Sequence, residues 1–424
     1  MVDFLSTSGA FEMPIFLQRV ALQNYKSIET CSVSLHPLTL LVGPNGSGKS
    51  NFVDALRLVS DSLRTTLEHA LRERGGIKEV RRRSRGHPTH FGIRLDLLLQ
   101  GRYSASYAFE IGALPNGAFR VQREECYVLK ASPQTIASFF VVENGVLKDA
   151  STEMRSKVEP DRLYLTVVSA LSEFRLVYDA LSRMGFYNLN PEKIRELQEP
   201  DAGELLARDG RNITSVLRRL RSDDVGKVKR IEQYLEAVVP GIVAVEPRQL
   251  GPKETLLFRQ RVVGDKNPWQ FMASSMSDGT LRVLGVLVAA LQANGKLRAT
   301  VPLVGIEEPE LAVHPGATSV LLDALREAST HTQVLLTTHS PELLDNERIT
   351  PDMILSVGSN LGVTRIAEVD EATRSSIRDR LYTAGELLRL GQIEPDSKAL
   401  NRVPKQINLF GPPAEYATHN SPDR

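Results

Sequence analysis

The sequence has little of what secreted and membrane proteins contain. Only two cysteines occur, Cys31 and Cys126, which are too few for a disulfide framework and predict a reducing compartment with both thiols buried. No run approaches the roughly 18 uninterrupted apolar residues of a membrane helix, and the first residues lack a basic segment followed by an apolar core. We therefore expect a soluble, cytoplasmic protein with no membrane partner.

An excess of charge of one sign is also absent. The 424 residues include 52 lysines and arginines against 51 acids, a formal charge of +1. No global field therefore draws the chain to nucleic acid or to an anionic membrane. Sustained heptads are missing as well, which excludes a long coiled-coil arm. At roughly 150 residues per domain, the length predicts two or three structural units.

A complete phosphate-binding loop is present. Residues 43–50 are Gly-Pro-Asn-Gly-Ser-Gly-Lys-Ser, between an apolar run at 38–42 and a helix-like run at 51–59. Strand, loop and helix in this order disfavour a coincidental Gly-rich turn, and the helix N-terminus adds positive potential for phosphate. Lys49 is expected to reach the β- and γ-phosphates of ATP, and Ser50 to ligate Mg²⁺. The predicted nucleotide contacts in this stretch are Asn45, Gly46, Ser47, Gly48, Lys49, Ser50 and Asn51.

Two adjacent carboxylates follow a second apolar strand. Residues 301–306 are apolar and lead into Glu307-Glu308-Pro309-Glu310. Adjacent acids can divide the work, with Glu307 holding Mg²⁺ directly or through water and Glu308 deprotonating the attacking water. The alternative is a solvated acidic turn, but the presence of a phosphate loop in the same chain favours the catalytic interpretation.

Two further elements complete the pattern. Ser277 and Gly279 precede an apolar helix predicted at 281–293, so their N–H groups form a second anion-binding helix end, unless Ser277 is an ordinary N-cap. His339 directly follows a buried strand predicted at 333–338, where an imidazole can hydrogen-bond the γ-phosphate; a purely structural histidine is the alternative. One chain needs only one phosphate cradle, so the second one suggests a site completed by another subunit.

In this order, the motifs at 43–50, 276–280, 303–310 and 337–341 resemble the ABC-type heads of the SMC, RecF and OLD (overcoming-lysogenisation-defect) ATPases. Glu-Glu-Pro-Glu and Thr-Thr-His-Ser-Pro-Glu-Leu-Leu-Asp are most similar to stand-alone AAA family ATPases near the OLD group, and Asn24-Tyr25-Lys26-Ser27-Ile28 resembles the first-strand motif of that group. The resemblance implies ATP and Mg²⁺ as cofactors, with Lys49, Glu308 and His339 catalytic and Ser50 and Glu307 at the metal. Ser277 and Gly279 would then complete the site of a second copy. Glu307 stands where related heads usually carry Asp, and Gln100 and Gln122 are weak candidates for the glutamine loop.

The resemblance predicts an α/β fold, an ABC-type head with a mixed β-sheet and flanking helices, and an inserted α+β subdomain. The boundaries we expect are an N-terminal extension at 1–14, the head at 15–100 and 265–395, the insert at 101–264, and a disordered tail at 396–424.

Two functional hypotheses follow. In the first, an ATP-dependent dimer is the motor or regulatory subunit of an anti-phage defence complex with a separate effector such as a nuclease, because no effector domain is recognisable after His339. In the second, the chain is a DNA-binding ATPase of repair or chromosome maintenance. A basic run supports the second through phosphate contacts by Arg81, Arg82, Arg83 and Arg85, although a solvated loop or arginines of the nucleotide site would produce the same pattern.

Overall fold

A computed structural model describes residues 16–84, 88–130, 135–151, 158–292, 301–404 and 406–413. The predicted extension at 1–14 and Arg85 lie outside these residues. The strands, in chain order, are β1 Leu17–Tyr25, β2 Ile28–Ser34, β3 Leu38–Val42, β4 His90–Leu99, β5 Tyr103–Ala113, β6 Phe119–Lys130, β7 Thr135–Glu143, β8 Val146–Ala150, β9 Gly185–Tyr187, β10 Ile242–Leu250, β11 Lys253–Gln260, β12 Trp269–Met272, β13 Leu303–Glu307, β14 Gln333–Thr338, β15 Ile354–Asn360 and β16 Val363–Glu368. The α-helices are α1 Lys49–Arg64, α2 Leu67–Arg72, α3 Ile77–Val80, α4 Leu165–Val168, α5 Ser172–Ser182, α6 Pro191–Arg195, α7 Ile213–Asp223, α8 Val225–Val238, α9 Asp278–Leu291, α10 Thr318–Ala328, α11 Pro341–Leu344, α12 Glu371–Arg378, α13 Ala384–Arg389 and α14 Ser397–Arg402.

A parallel group of strands forms the centre of the main sheet. The order β15-β3-β14-β13-β9 is parallel throughout, with Leu40 opposite Leu336 and Leu336 opposite Ile306. All residues of β3 and β14 are buried, as expected of parallel strands covered on both faces. Their carboxyl ends share one edge, so the segments after β3, β13 and β14 lie side by side.

Antiparallel strands extend the same sheet, and here the predicted domain boundary is wrong. The full order of the 13-stranded sheet is β8-β7-β6-β5-β4-β1-β2-β16-β15-β3-β14-β13-β9. β4 and β5 pair from His90 opposite Gly112 to Leu99 opposite Tyr103, so residues 101–150 continue the head instead of beginning an insert. The predicted boundary between residues 100 and 101 falls within a tight hairpin connection, with Gln100 at φ +53°.

A smaller layer lies on one face of the parallel strands. Strands β10-β11-β12 form a separate antiparallel sheet, which packs with α7 and α8. Helix α9 packs against α6, α8 and α10, and eleven of its fourteen residues are buried. Because α9 is packed among these helices, elements that are distant in sequence determine the position of the Ser277 segment at its N-terminus.

The described part of the predicted disordered tail is ordered instead. Ser397–Arg402 is helical, and Ile407 and Leu409 pack with Ala21. The buried guanidinium of Arg94 donates to the backbone oxygens of Leu409, Gly411 and Pro412 at 3.0, 2.9 and 3.0 Å. Composition alone did not predict this order. A polar, Pro-rich stretch is ordered here because its carbonyl groups accept hydrogen bonds from a buried cation. Residues 414–424 lie outside the described part.

Element bounds close to the site agree with the sequence within a few residues. The helix predicted at 281–293 begins at Asp278, and the strand predicted at 333–338 has those bounds. Both cysteines are buried and free, as predicted. Within the described ranges, no helix is both long enough and apolar enough to cross a membrane.

A buried carboxyl on β6 makes folding stability depend on pH. Glu124 is fully buried and accepts from the Tyr107 hydroxyl at 2.9 Å and from the N–H groups of Tyr164 and Leu165 at 2.5 and 2.9 Å. Burial raises the pKa of Glu124 to about 7, although those hydrogen bonds oppose the rise. Between its unfolded pKa of about 4.3 and pH 7, the native state keeps a proton that the unfolded state releases, so stability falls as pH rises through this window.

We expect Glu124→Gln, which cannot titrate, to remove this dependence. On going from pH 5 to pH 8, wild type should lose on the order of 3 kcal/mol relative to the variant, at about 1.4 kcal/mol per pH unit. Calorimetric unfolding at the two pH values measures the difference as a Tm gap that changes with pH. Glu110→Gln on the neighbouring strand is the matched control, and a gap that stays constant between pH 5 and 8 would contradict the assignment.

Candidate nucleotide site

The phosphate loop links the end of β3 to α1, and its shape requires glycine. Gly48 has φ +106°, and a Cβ there would lie 2.0 Å from Oγ1 of Thr364 on β16. That hydroxyl donates to the backbone oxygen of Ser47 at 2.8 Å and bonds to the Ser27 hydroxyl at 2.7 Å. The loop is therefore held by β16 and by the turn between β1 and β2, which pre-organises its N–H groups.

Lys49 lies inside the loop. Its Nζ donates to the backbone oxygens of Gly43 at 2.7 Å and Pro44 at 3.1 Å, and the residue is 5% exposed. Burial lowers the pKa of Lys49, while Glu308 and Glu310 oppose that change. The ammonium can exchange these carbonyl oxygens for phosphate oxygens. The buried Ser47 Oγ has no hydrogen-bond partner among the described residues, so the loop offers a polar atom that a phosphate would satisfy.

The remaining loop residues divide between the surface and the scaffold. Asn45, Gly46 and Ser50 are exposed. Asn51 was predicted to contact nucleotide, but its Nδ2 donates to the Ser27 hydroxyl at 2.6 Å. In this structure the Asn51 side chain therefore ties α1 to the turn between β1 and β2.

The second carboxylate adopts an unusual backbone conformation. Glu308, directly after β13, has φ +45°, a left-handed conformation that costs a non-glycine residue about 1–3 kcal/mol. Its N–H donates to the backbone oxygen of Thr337 at 3.0 Å and lies 3.2 Å from the Thr337 hydroxyl. These contacts with neighbouring β14 stabilise the backbone turn at Glu308.

That edge brings three predicted catalytic residues together. His339 Nδ1 lies 3.1 Å from Glu308 Oε1, and Lys49 interacts electrostatically with Glu308. A cavity of about 300 Å³ opens beside the histidine and the carboxylate. A carboxylate next to a cation and an imidazole suits the activation of water near a phosphate.

Glu310 is a buried member of the same acidic run. Its Oε1 accepts from the Thr338 hydroxyl at 2.5 Å, and burial raises the pKa of this carboxyl. Arg282 on α9 donates to the backbone oxygen of Glu308 at 3.4 Å and to that of Leu189 at 2.9 Å. These two side chains contact β14 and the turn that contains Glu308. The motif Glu-Glu-Pro-Glu includes Glu310, so the sequence pointed to this residue. No sequence pattern connected Arg282 with this turn.

Glu307 and Ser50 supply the donor types that Mg²⁺ prefers, a carboxylate and a hydroxyl. Among the described residues no group of three or more His, Cys, Asp or Glu side chains is placed to hold a metal. These donor types suit an Mg²⁺ ion that takes its other ligands from phosphate and water. Glu307 Oε1 is paired with Arg208 Nη2 at 3.1 Å, a contact that the sequence analysis missed.

The side chains of the Ser277 segment bond within that segment and to Arg195. Ser277 Oγ accepts from the Thr280 N–H at 3.3 Å and caps α9, and Asp278 pairs with Arg195 at 2.5 Å. A Cβ on Gly279 would lie 2.4 Å from the backbone oxygen of Ala312, so only glycine permits this approach. Ser277 and Asp278 are exposed, which leaves this helix end open to a ligand from outside the chain.

Most of the predicted basic run is engaged within the chain. Arg81 donates to the backbone oxygen of Pro88 at 2.8 Å, Arg82 pairs with Glu29 at 2.9 Å, and Arg83 pairs with Glu79. These contacts compete with binding of a phosphodiester backbone. The two weak glutamine-loop candidates lie in the antiparallel extension, Gln100 in the β4–β5 turn and Gln122 within β6.

The fold and site define an ABC-type ATPase head, and comparison with known proteins assigns the family. Residues 128–345, just over half the chain, match the family model described as "AAA domain, putative AbiEii toxin, Type IV TA system", and residues 16–134 match "AAA ATPase domain". The chain belongs to this AAA ATPase family, within the SMC/OLD-like group, which confirms the resemblance predicted from the motifs.

Two kinds of relative are similar to it. The Old nuclease of Escherichia phage P2 is 23% identical over 398 residues, which cover 88% of this chain and 65% of that protein's length. The Smc head bound to the C-winged helix domain of ScpA superposes with a TM-score of 0.53 at 13% identity, covering 84% of this chain and 98% of the other. A Pyrococcus furiosus Smc head with an extended coiled coil has a TM-score of 0.51 at 12% identity, covering 86% and 99%. The structural likenesses confirm the predicted fold class.

Proposed function

We propose that this chain binds Mg²⁺-ATP at the phosphate loop and hydrolyses it. The observation that carries this proposal is the convergence of Lys49, Glu308 and His339 on one edge of the sheet. Lys49 holds phosphate oxygens, Glu308 accepts the proton of the attacking water, and His339 orients Glu308 and contacts the terminal phosphate. Bound Mg²⁺, held by Ser50 and Glu307, supplies charge neutralisation at the phosphates.

The site is completed by a second copy of the chain. Ser277 and Gly279 lie at the exposed N-terminus of the 14-residue helix α9, where free N–H groups favour an anion. A cavity of about 870 Å³ opens at Pro44 and Asn45 of the phosphate loop and at His339. Space at the loop of one copy and an open helix end on the other support an ATP-dependent dimer.

The dimer acts as the motor or regulatory subunit of a nuclease-linked defence complex. Sequence similarity to the Old nuclease, which covers 88% of this chain and 65% of that relative, supports a link to a nuclease. The intramolecular contacts of Arg81, Arg82 and Arg83 favour this role over direct DNA clamping. The alternative role, a DNA-binding ATPase of repair or chromosome maintenance, is supported by the likeness to Smc heads.

The steady-state ATPase rate, measured at low salt with no DNA, single-stranded DNA and linear duplex DNA, tests this proposal. We expect slow hydrolysis that changes less than about twofold with DNA, because Arg81, Arg82 and Arg83 already have partners within the chain. Stimulation of about tenfold, equivalent to roughly 1.4 kcal/mol of barrier, would favour the DNA-coupled alternative. Glu308→Gln serves as the blank and Glu347→Gln, at an exposed glutamate, as its matched control. A wild-type rate equal to the blank would refute hydrolysis at this site.

A further inference from the structure

Arg208 belongs to a connection whose backbone is rigidly held. The Arg208 backbone oxygen accepts from the Asn188 N–H at 3.0 Å, and the next residue, Asp209, accepts from the Asn190 N–H at 3.1 Å. The side chain of Asn212 closes the segment by accepting from the Ala207 N–H at 2.7 Å. Residues 188 and 190 directly follow β9, the neighbour of β13. The position of the Arg208 backbone is therefore determined relative to Glu307.

The side chain of Arg208 uses this position to pair with Glu307. Nη2 lies 3.1 Å from Oε1, and the arginine side chain is 49% exposed whereas the glutamate side chain is 17% exposed. Glu307 is thus fixed on the sheet, whereas the guanidinium of Arg208 reaches solvent and can move away. A guanidinium and a divalent cation that approach the same carboxylate repel one another, so they compete for Glu307.

The same segment is attached to the helix that carries the second anion-binding end. Gln292, directly after α9, accepts from the Leu206 N–H at 3.0 Å through Oε1 and donates to the Tyr187 hydroxyl at 2.7 Å through Nε2. One residue at the end of α9 therefore contacts both β9 and the Arg208 segment. The Arg208 segment and β9 are therefore both attached to the end of α9.

We propose that Arg208 is a positioning residue that holds the Glu307 carboxylate in the metal-free protein and is displaced when a divalent cation enters. This inference rests on the proposed function, because it takes Glu307 to support the metal of a bound nucleotide. Arg208 thereby sets a threshold for metal binding, so the site admits the divalent cation only when phosphate oxygens add their own attraction.

Mn²⁺ binding followed by electron paramagnetic resonance, with a non-hydrolysable ATP analogue present, tests the inference without relying on turnover. We expect Arg208→Ala to lower the half-saturating Mn²⁺ concentration by about threefold to tenfold, because an internal competing cation is removed. Arg208→Gln should behave in the same way, and Arg208→Lys should remain close to wild type. Nucleotide binding in EDTA should be unchanged in all three. Arg211→Ala, in the same segment with its side chain 72% exposed, is the matched control.

Unchanged or weaker Mn²⁺ binding in Arg208→Ala and Arg208→Gln would overturn the inference. Weaker nucleotide binding in EDTA would also overturn it, since Arg208 would then be a phosphate ligand. Should the alanine variant fail to fold, the glutamine variant carries the same expectation. Failure of the proposed function gives a different result, namely nucleotide binding that does not depend on Lys49.

Discussion

Lys49→Ala should weaken ATP binding by about 10- to 100-fold, the effect of losing a charged hydrogen bond worth roughly 1.5–3 kcal/mol. The ammonium is already inside the loop, where it donates to the backbone oxygens of Gly43 and Pro44. No other lysine replaces it in the described contacts of this loop. Equilibrium binding of a fluorescent ATP analogue, measured at constant Mg²⁺, reports the change.

Two controls separate a lost phosphate contact from a damaged fold. Lys229→Ala removes the same side chain from an exposed position on α8 and should leave the affinity at the wild-type value. The Tm of Lys49→Ala should stay within a few degrees of wild type, because water can solvate the two released carbonyl groups at this open loop. Equal affinity in Lys49→Ala and wild type would show that the loop is not the nucleotide site.

Glu308→Gln should trap an ATP-bound dimer. The amide keeps the shape of the side chain but cannot accept the proton of the attacking water, so hydrolysis should fall by about 100-fold or more, the usual contribution of a general base. ATP would then remain between the two copies. Size-exclusion chromatography with light scattering, at saturating Mg²⁺-ATP, should give twice the 46.9 kDa mass of one chain.

Ser277→Arg supplies the complementary test of the dimer. An arginine at the exposed cap of α9 would fill the space needed by the terminal phosphate of a neighbouring copy, while the phosphate loop of its own chain is untouched. Combined with Glu308→Gln, it should bind ATP with unchanged affinity and remain a monomer. Glu347→Gln, the matched control for the glutamate substitution, should form no more dimer than wild type does. A monomeric Glu308→Gln protein at saturating ATP would argue against a site shared between copies.

The class of ATPase could be predicted from the sequence because its nucleotide-binding motifs are short runs of neighbouring residues. The phosphate loop and the acidic pair are runs of consecutive residues whose neighbours form the required strand and helix, and the family and fold assignments confirmed what they indicated. The domain boundary near residue 100 failed for a different reason. Pairing of β4 with β5 depends on ten cross-strand partners, and a polar turn between two strands has the same composition as a linker between two domains.

The sequence by itself determined that this protein is an ABC-type ATPase head of the SMC/OLD-like group, since each motif lies within a few consecutive residues. Only the tertiary structure decided which distant side chains meet: Thr364 with the backbone of Ser47, Glu308 with His339, and Arg208 with Glu307. The physical reason is the parallel order of β3, β14 and β13, which brings three separate carboxyl ends to one edge. Strand order is set by packing across the whole sheet, so no single segment of the sequence contains it.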